Sequence, residues 1–90
     1  MKQTQFRIYT EDLQRELVAK VVGEQFDGFS LFRGVGYWKG TPEHCLCIEI
    51  LAEDAHLARL KVGMIANAIK VLNKQESVLV TEVEVEVKFI

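Results

Sequence analysis

The chain has 90 residues, of which 49% are hydrophobic and 27% charged, with one proline and a net charge of −2 at pH 7. This is a globular composition with no low-complexity tract, which excludes a disordered chain. The slightly acidic balance gives no electrostatic footprint for a phosphate backbone and argues against nucleic acid as a partner.

The opening MKQTQFRIYTED lacks the roughly 7–15-residue apolar core of a signal peptide. No apolar run approaches the ~20 residues that cross a bilayer, so no membrane association and a cytoplasmic location are expected. QTQFRIYT alternates, with Phe6 and Ile8 on one face and Arg7 and Tyr9 on the other, as a strand does. Thr10 then offers a helix N-cap hydroxyl, and Glu11 and Asp12 put negative charge into a first turn. Leu13, Leu17, Val18, Val21 and Val22 recur at helical spacing, which predicts a helix over about 11–22 that ends at Gly23.

The stretch FDGFSLFRGVGYWKG follows and holds four of the six glycines, the only tryptophan and three phenylalanines. Asp27-Gly28 reads as a turn. Leu31, Arg33, Val35 and Tyr37 then share one strand face, with Phe32, Gly34, Gly36 and Trp38 on the other. KGTPE reads as a second turn and HCLCIEIL as a third strand, so the two strands form a hairpin. A second helix is expected over 53–74. Its Leu57, Leu60, Met64, Ala68 and Val71 form one apolar stripe, and Ala58, Val62, Ile65, Ile69 and Leu72 a second beside it. SVLVTEVEVEVKFI closes the chain as a strand of up to fourteen residues, with Glu82, Glu84 and Glu86 opposing Val83, Val85 and Val87. The glutamate stripe reads as a solvated face that discourages stray edge pairing.

The order β-α-β-β-α-β, in one domain over residues 1–90, specifies an α+β ferredoxin-like fold: a four-stranded antiparallel sheet with two helices on one face. Two features do not suit a lone copy. The last strand is longer than any partner in such a sheet, and the face away from the helices, toward which Phe29, Leu31 and Val35 are expected to point, needs cover. Closed homo-oligomerisation answers both, with a trimer expected first and a dimer second.

Several side chains are candidates for chemistry. Glu43, beside the glycine-rich strand, could hold a cation or take a proton, or be a solvated hairpin-turn residue. Tyr37 and Trp38 could stack on a base or a sulfonium, or pack between subunits. Arg33 shares its face with Leu31 and Val35 and is either paired, solvated or a counter-charge for an anionic ligand. Gln75 and Ser77 offer an amide and a hydroxyl where the second helix hands over to the last strand, or simply cap and turn the chain. Gly34 and Gly36 lack the third glycine and following helix of a dinucleotide fingerprint, so they suit a close approach or a bulge, and no cofactor is expected. Cys45 and Cys47 lie on one strand face and cannot bridge each other. With His44 they are an incomplete zinc pattern, so they read as buried thiols and no metal is assigned.

The landmarks FDGFS, GYWKG, QESVLV and VKF, spread over Phe26 to Phe89, resemble those of an uncharacterised family of short bacterial domains with no assigned activity. More faintly, the chain is similar to the phage-encoded enzymes that split S-adenosylmethionine, which are trimers with a ferredoxin-like subunit related to the PII signalling proteins. In that family a G-x-Tyr ending the second strand, a Glu opening the third, and a Q-acidic-x-VLV start of the last strand help form a site between subunits. Gly36 to Trp38, Glu43, and Gln75 to Val80 match these positions here. Trp38 replaces the tyrosine; an indole supplies no phenolic oxygen, but a stacking role toward adenine survives.

The leading expectation is therefore a homo-oligomer that binds a small molecule in clefts between subunits, walled by the 33–43 hairpin of one copy and the 75–80 segment of another. The alternatives are a lyase-like cleavage of S-adenosylmethionine through Glu43, and a structural or inhibitor protein acting through protein contacts.

Overall fold

Six elements run in the order β-α-β-β-α-β in the computed structural model, which describes residues 1–90. They are β1 (Lys2–Glu11), α1 (Arg15–Gly23), β2 (Ser30–Trp38), β3 (Thr41–Ala52), α2 (Ala55–Leu72) and β4 (Leu79–Glu86). The strands form one antiparallel sheet in the order β2-β3-β1-β4, the ferredoxin-like arrangement. No helix is long and apolar enough to cross a membrane.

The core follows from the register. Phe6 lies opposite Ile50, Ile8 opposite Ile48 and Thr10 opposite Leu46, which sends all six side chains to the helix side. Val18 and Val22 of α1 and Ala58, Val62, Ile65 and Ile69 of α2 close over them. Burying each larger aliphatic side chain stabilises the fold by roughly 1.5–3 kcal/mol. Only one of the two apolar stripes of α2 is used in this way. Leu57, Leu60, Met64 and Val71, on the other, stay exposed.

Local signals gave way to pairing at three places. Thr10 does not cap α1: it is a buried β1 residue, and Glu11 still pairs with Cys45 of β3. Continuing the ladder satisfies backbone groups that a helix start at residue 11 would leave unpaired. The helix begins at Arg15 instead, after Gln14 turns the chain in the left-handed region (φ 51) with no side-chain cap. By contrast α2 starts at an ordinary N-cap, where the Asp54 carboxylate accepts from the Leu57 N–H at 3.0 Å.

The turn between β2 and β3 is shorter than KGTPE. It comprises only Lys39 and Gly40, both at positive φ (49 and 80), the pairing of dihedrals that two-residue hairpins favour. Glu43 is therefore a strand residue opposite Gly36, not a turn residue. Pro42 is tolerated because β3 reaches past the end of β1 here and has a neighbour on one side only.

At the other end, β4 stops at Glu86, where β1 runs out at Lys2. Val87 still donates its N–H to the Met1 carbonyl at 2.7 Å, but residues 87–90 are not in the strand. The glutamates of β4 stay exposed, as a solvated stripe would, and each also meets a positive charge. They lie on the helix side, where Glu82 meets Arg59 at 2.8 Å, Glu84 meets Lys2 at 3.3 Å and Glu86 meets the N-terminal amine at 2.8 Å. Leu31 and Phe29 likewise pack against the core, not on the open face, and Val35 shares the face of Leu31 but stays exposed toward the hairpin end. The open face presents Phe32, Trp38, Leu51, Leu79 and Val83, all exposed.

Candidate functional site

The β2–β3 hairpin projects beyond the end of β1, and the entry to β4 lies along the other side of β1. Between them lies a cleft of about 480 Å³. β1 contributes Tyr9, Thr10 and Glu11; the hairpin contributes Gly36, Trp38, Glu43, His44 and Cys45; and the entry to β4 contributes Gln75, Ser77 and Leu79.

The glycines shape the hairpin wall. A Cβ on Gly34 would lie 3.5 Å from the Cys45 sulfur and one on Gly36 4.0 Å from it, so neither glycine is required by crowding. Neither has a positive φ. What their lack of side chain does is bare the strand surface beside Cys45 and Glu43, leaving room in the cleft. Trp38 stands at the rim, two-thirds exposed (68%), with the Lys39 ammonium 5.7 Å from its ring centroid. The charged groups of the lining are Glu11 and Glu43, with no lysine or arginine among them.

Beneath the cleft lies a cluster of amides. Thr10 and Asn73 are the only buried polar residues of the chain. Asn73 Nδ2 donates to Thr10 Oγ1 at 3.3 Å and to Gln75 Oε1 at 3.4 Å, and the Thr10 hydroxyl donates to the same Gln75 oxygen. This holds Gln75 at the cleft floor.

Four of the six side chains singled out in the sequence, Trp38, Glu43, Gln75 and Ser77, meet in this cleft. Both wall segments meet within one copy. Arg33 and Tyr37 lie outside it. Arg33 donates to Asp12 at 3.1 Å, and Tyr37 is an exposed residue on the opposite face of the hairpin. Asp12 also takes a forked contact from Arg15 at 3.0 and 3.2 Å. Arg15 first, with Arg33 assisting against the effect of burial, holds the Asp12 carboxyl below its usual range. A hollow of about 470 Å³ lined by Asp12, Gln14, Arg15, Glu16 and Leu17 therefore has its Asp12 carboxylate already paired.

The cysteines are half-buried, not the fully buried thiols expected, because their strand face has no second layer over it. Cys45 borders the cleft. Burial pushes the Cys47 thiol up, with Arg7 opposing. No three His, Cys, Asp or Glu side chains gather as metal ligands would. Sequence reasoning missed Asn73 and misassigned Thr10. Neither is detectable without the fold, because their partners lie 63 positions apart.

No protein-family model matches the chain, and no curated protein sequence matches it. Solved structures do. A phage S-adenosylmethionine lyase in complex with S-methyl-5′-thioadenosine superposes with a TM-score of 0.63 at 19% identity, covering 91% of this chain and 81% of the lyase. CPII of Thiomonas intermedia K12, a nitrogen regulatory PII-like protein bound to ADP, AMP and bicarbonate, gives a TM-score of 0.66 at 13% identity, covering 98% of this chain and 97% of CPII. A DUF3240 family protein of Shewanella baltica OS155 gives 0.70 at 13% identity over 98% and 94% of the two chains. The chain thus has the ferredoxin-like fold that PII-like proteins and this lyase share. At such identities the likeness is one of fold.

Proposed function

We propose that the chain is the subunit of a homo-oligomer, a trimer in the first instance and a dimer as the alternative, that binds a small adenosine-type molecule in the cleft between the β2–β3 hairpin and the entry to β4. The observation that carries this reading is the convergence of an aromatic face (Trp38), a carboxylate (Glu43), an amide (Gln75) and a hydroxyl (Ser77) on one cavity of about 480 Å³. Two structural relatives hold adenosine derivatives. With Glu11 and Glu43 in the lining and no lining lysine or arginine, the charge favours a neutral or sulfonium-bearing nucleoside over a nucleoside phosphate. The exposed apolar residues of the open face, Phe32, Leu51, Leu79 and Val83, are what a neighbouring copy would cover.

Light scattering combined with calorimetric titration tests the reading. The expected mass is near three times 10.3 kDa, with S-methyl-5′-thioadenosine and S-adenosylmethionine binding more tightly than AMP or ADP. A monomer removes the oligomer, and a chain that binds none of the four removes the site.

A second reading is catalytic, favoured by the position of Glu43 in this cleft. Here Glu43 positions or deprotonates S-adenosylmethionine for a lyase-like cleavage. Glu43→Gln then abolishes nucleoside release, followed by chromatography, and leaves the mass unchanged. Equal release by both proteins removes Glu43 from the reaction. The protein-contact reading draws its support from the exposed α2 stripe, Leu57, Leu60, Met64 and Val71.

A further inference from the structure

The amides under the cleft are polarised in one direction, and their orientation follows from a group that can only accept. Gln14 Nε2 donates to the backbone carbonyl of Leu72 at 2.8 Å, which fixes the Gln14 amide, since a carbonyl carries no hydrogen. The same nitrogen reaches Asn73 Oδ1 at 3.4 Å. Asn73 Oδ1 is thus turned toward Gln14, and Asn73 Nδ2 toward Thr10 and Gln75. Thr10 Oγ1 accepts from Asn73 and has its own hydrogen left for Gln75 Oε1. The oxygen of Gln75 receives two donors from below. Its nitrogen carries two hydrogens and makes a single contact at the outer limit of hydrogen bonding, 3.5 Å to the Ser77 carbonyl, which leaves at least one hydrogen free for the cleft.

We infer that the Gln14–Asn73–Thr10 relay fixes Gln75 as a hydrogen-bond donor to the cleft, so that the cleft recognises an unprotonated acceptor on its ligand, a ring nitrogen or a carbonyl or hydroxyl oxygen. The ligand half of this inference rests on the cleft being the binding site proposed above. The donor half concerns the protein alone. Reversing any amide would set two oxygens or two N–H groups against each other in a part-buried space, which costs free energy because neither would keep its partner. Thr10, Asn73 and Gln14 are positioning residues here, and Gln75 is the one that touches ligand.

Two measurements separate the halves. In ligand-free protein, side-chain amide exchange followed by NMR should find the Asn73 protons protected and the Gln75 protons exchanging freely. Protected Gln75 protons with freely exchanging Asn73 protons overturn the inference, whether or not any ligand is found. The second measurement uses S-methyl-5′-thioadenosine as probe. Asn73→Asp replaces the donor toward Gln75 by an acceptor and turns the Gln75 amide over; the probe should bind at least ~10-fold more weakly. The same substitution in a Gln75→Ala background should cost nothing further, whereas a merely structural Asn73 would cost the same in both. Equal losses in the two backgrounds overturn the relay. Thr10→Val, close in shape and uncharged, repeats the comparison if aspartate at position 73 prevents folding. If wild type binds no probe while the exchange pattern is as expected, the binding-site reading fails and the fixed donor stands.

Discussion

Arg59 and Glu82 face each other as a fork: Arg59 Nε lies 2.9 Å from Glu82 Oε1, and Nη2 lies 2.8 Å from Oε2. The pair ties α2 to β4, which has a strand neighbour on one side only. Arg59 holds the Glu82 carboxyl below the usual glutamate range. A lowered folded-state value means the contribution is present in full above the unfolded-chain range and disappears as pH falls through the folded value. Glu82→Gln should therefore melt below wild type at neutral pH, and the gap should close as pH drops below ~4. A gap that stays constant into strong acid would show that the pair acts through packing and not through charge.

The two sheet faces should respond to substitution in different ways. Ile48 is fully buried, and Ile48→Ala should lower unfolding free energy by roughly 2–5 kcal/mol in denaturant titrations. Val83 is exposed on the open face. In the proposed oligomer Val83→Lys buries an unpaired charge between copies, so light scattering should show the mass fall to that of a single chain with the secondary structure retained. An unchanged mass would take this face out of the assembly.

Trp38 and Arg33 lie on opposite faces of β2, and only Trp38 borders the cleft. Loss of a base-stacking aromatic costs roughly 1–3 kcal/mol. Trp38→Ala should reduce affinity for S-methyl-5′-thioadenosine by that amount in calorimetry, while Arg33→Met leaves it unchanged. Equal effects from both would mean that the ligand sits elsewhere.

The hairpin turn offers a test of backbone conformation independent of any ligand. Gly40 sits at φ 80, where an L-side chain costs roughly 1–2 kcal/mol. Gly40→Val should lower thermal stability accordingly. Lys39 is a non-glycine residue at φ 49, and Lys39→Asn should raise stability, since asparagine tolerates that region best after glycine. A loss of stability in Lys39→Asn would show that the Lys39 contact with the Trp38 ring outweighs the turn geometry.

Much of the fold was legible because period-2 and period-3.6 patterns are local. Alternation around Phe6 and Ile8, the paired stripes on α2 and the glycine-rich hairpin each identify an element from neighbours a few residues away. The order of those elements, with the handedness of crossovers, leaves little choice of topology. Of the site, Trp38, Glu43, Gln75 and Ser77 stood out as chemistry-bearing types beside glycines and element ends.

What the amino-acid order determined by itself was therefore the kind and succession of elements, since each is set by short-range sterics and by the spacing of apolar side chains. Tertiary structure alone decided where ladders stop, which stripe of α2 is buried and what each polar group meets. Thr10 looked like a cap until β3 paired with it, and Glu82 had no visible partner until α2 laid Arg59 across β4. Those outcomes depend on contacts between residues tens of positions apart, where a hydrogen bond or ion pair forms only after the sheet has chosen its register. Register is a property of two strands together, and neither strand's sequence contains it alone.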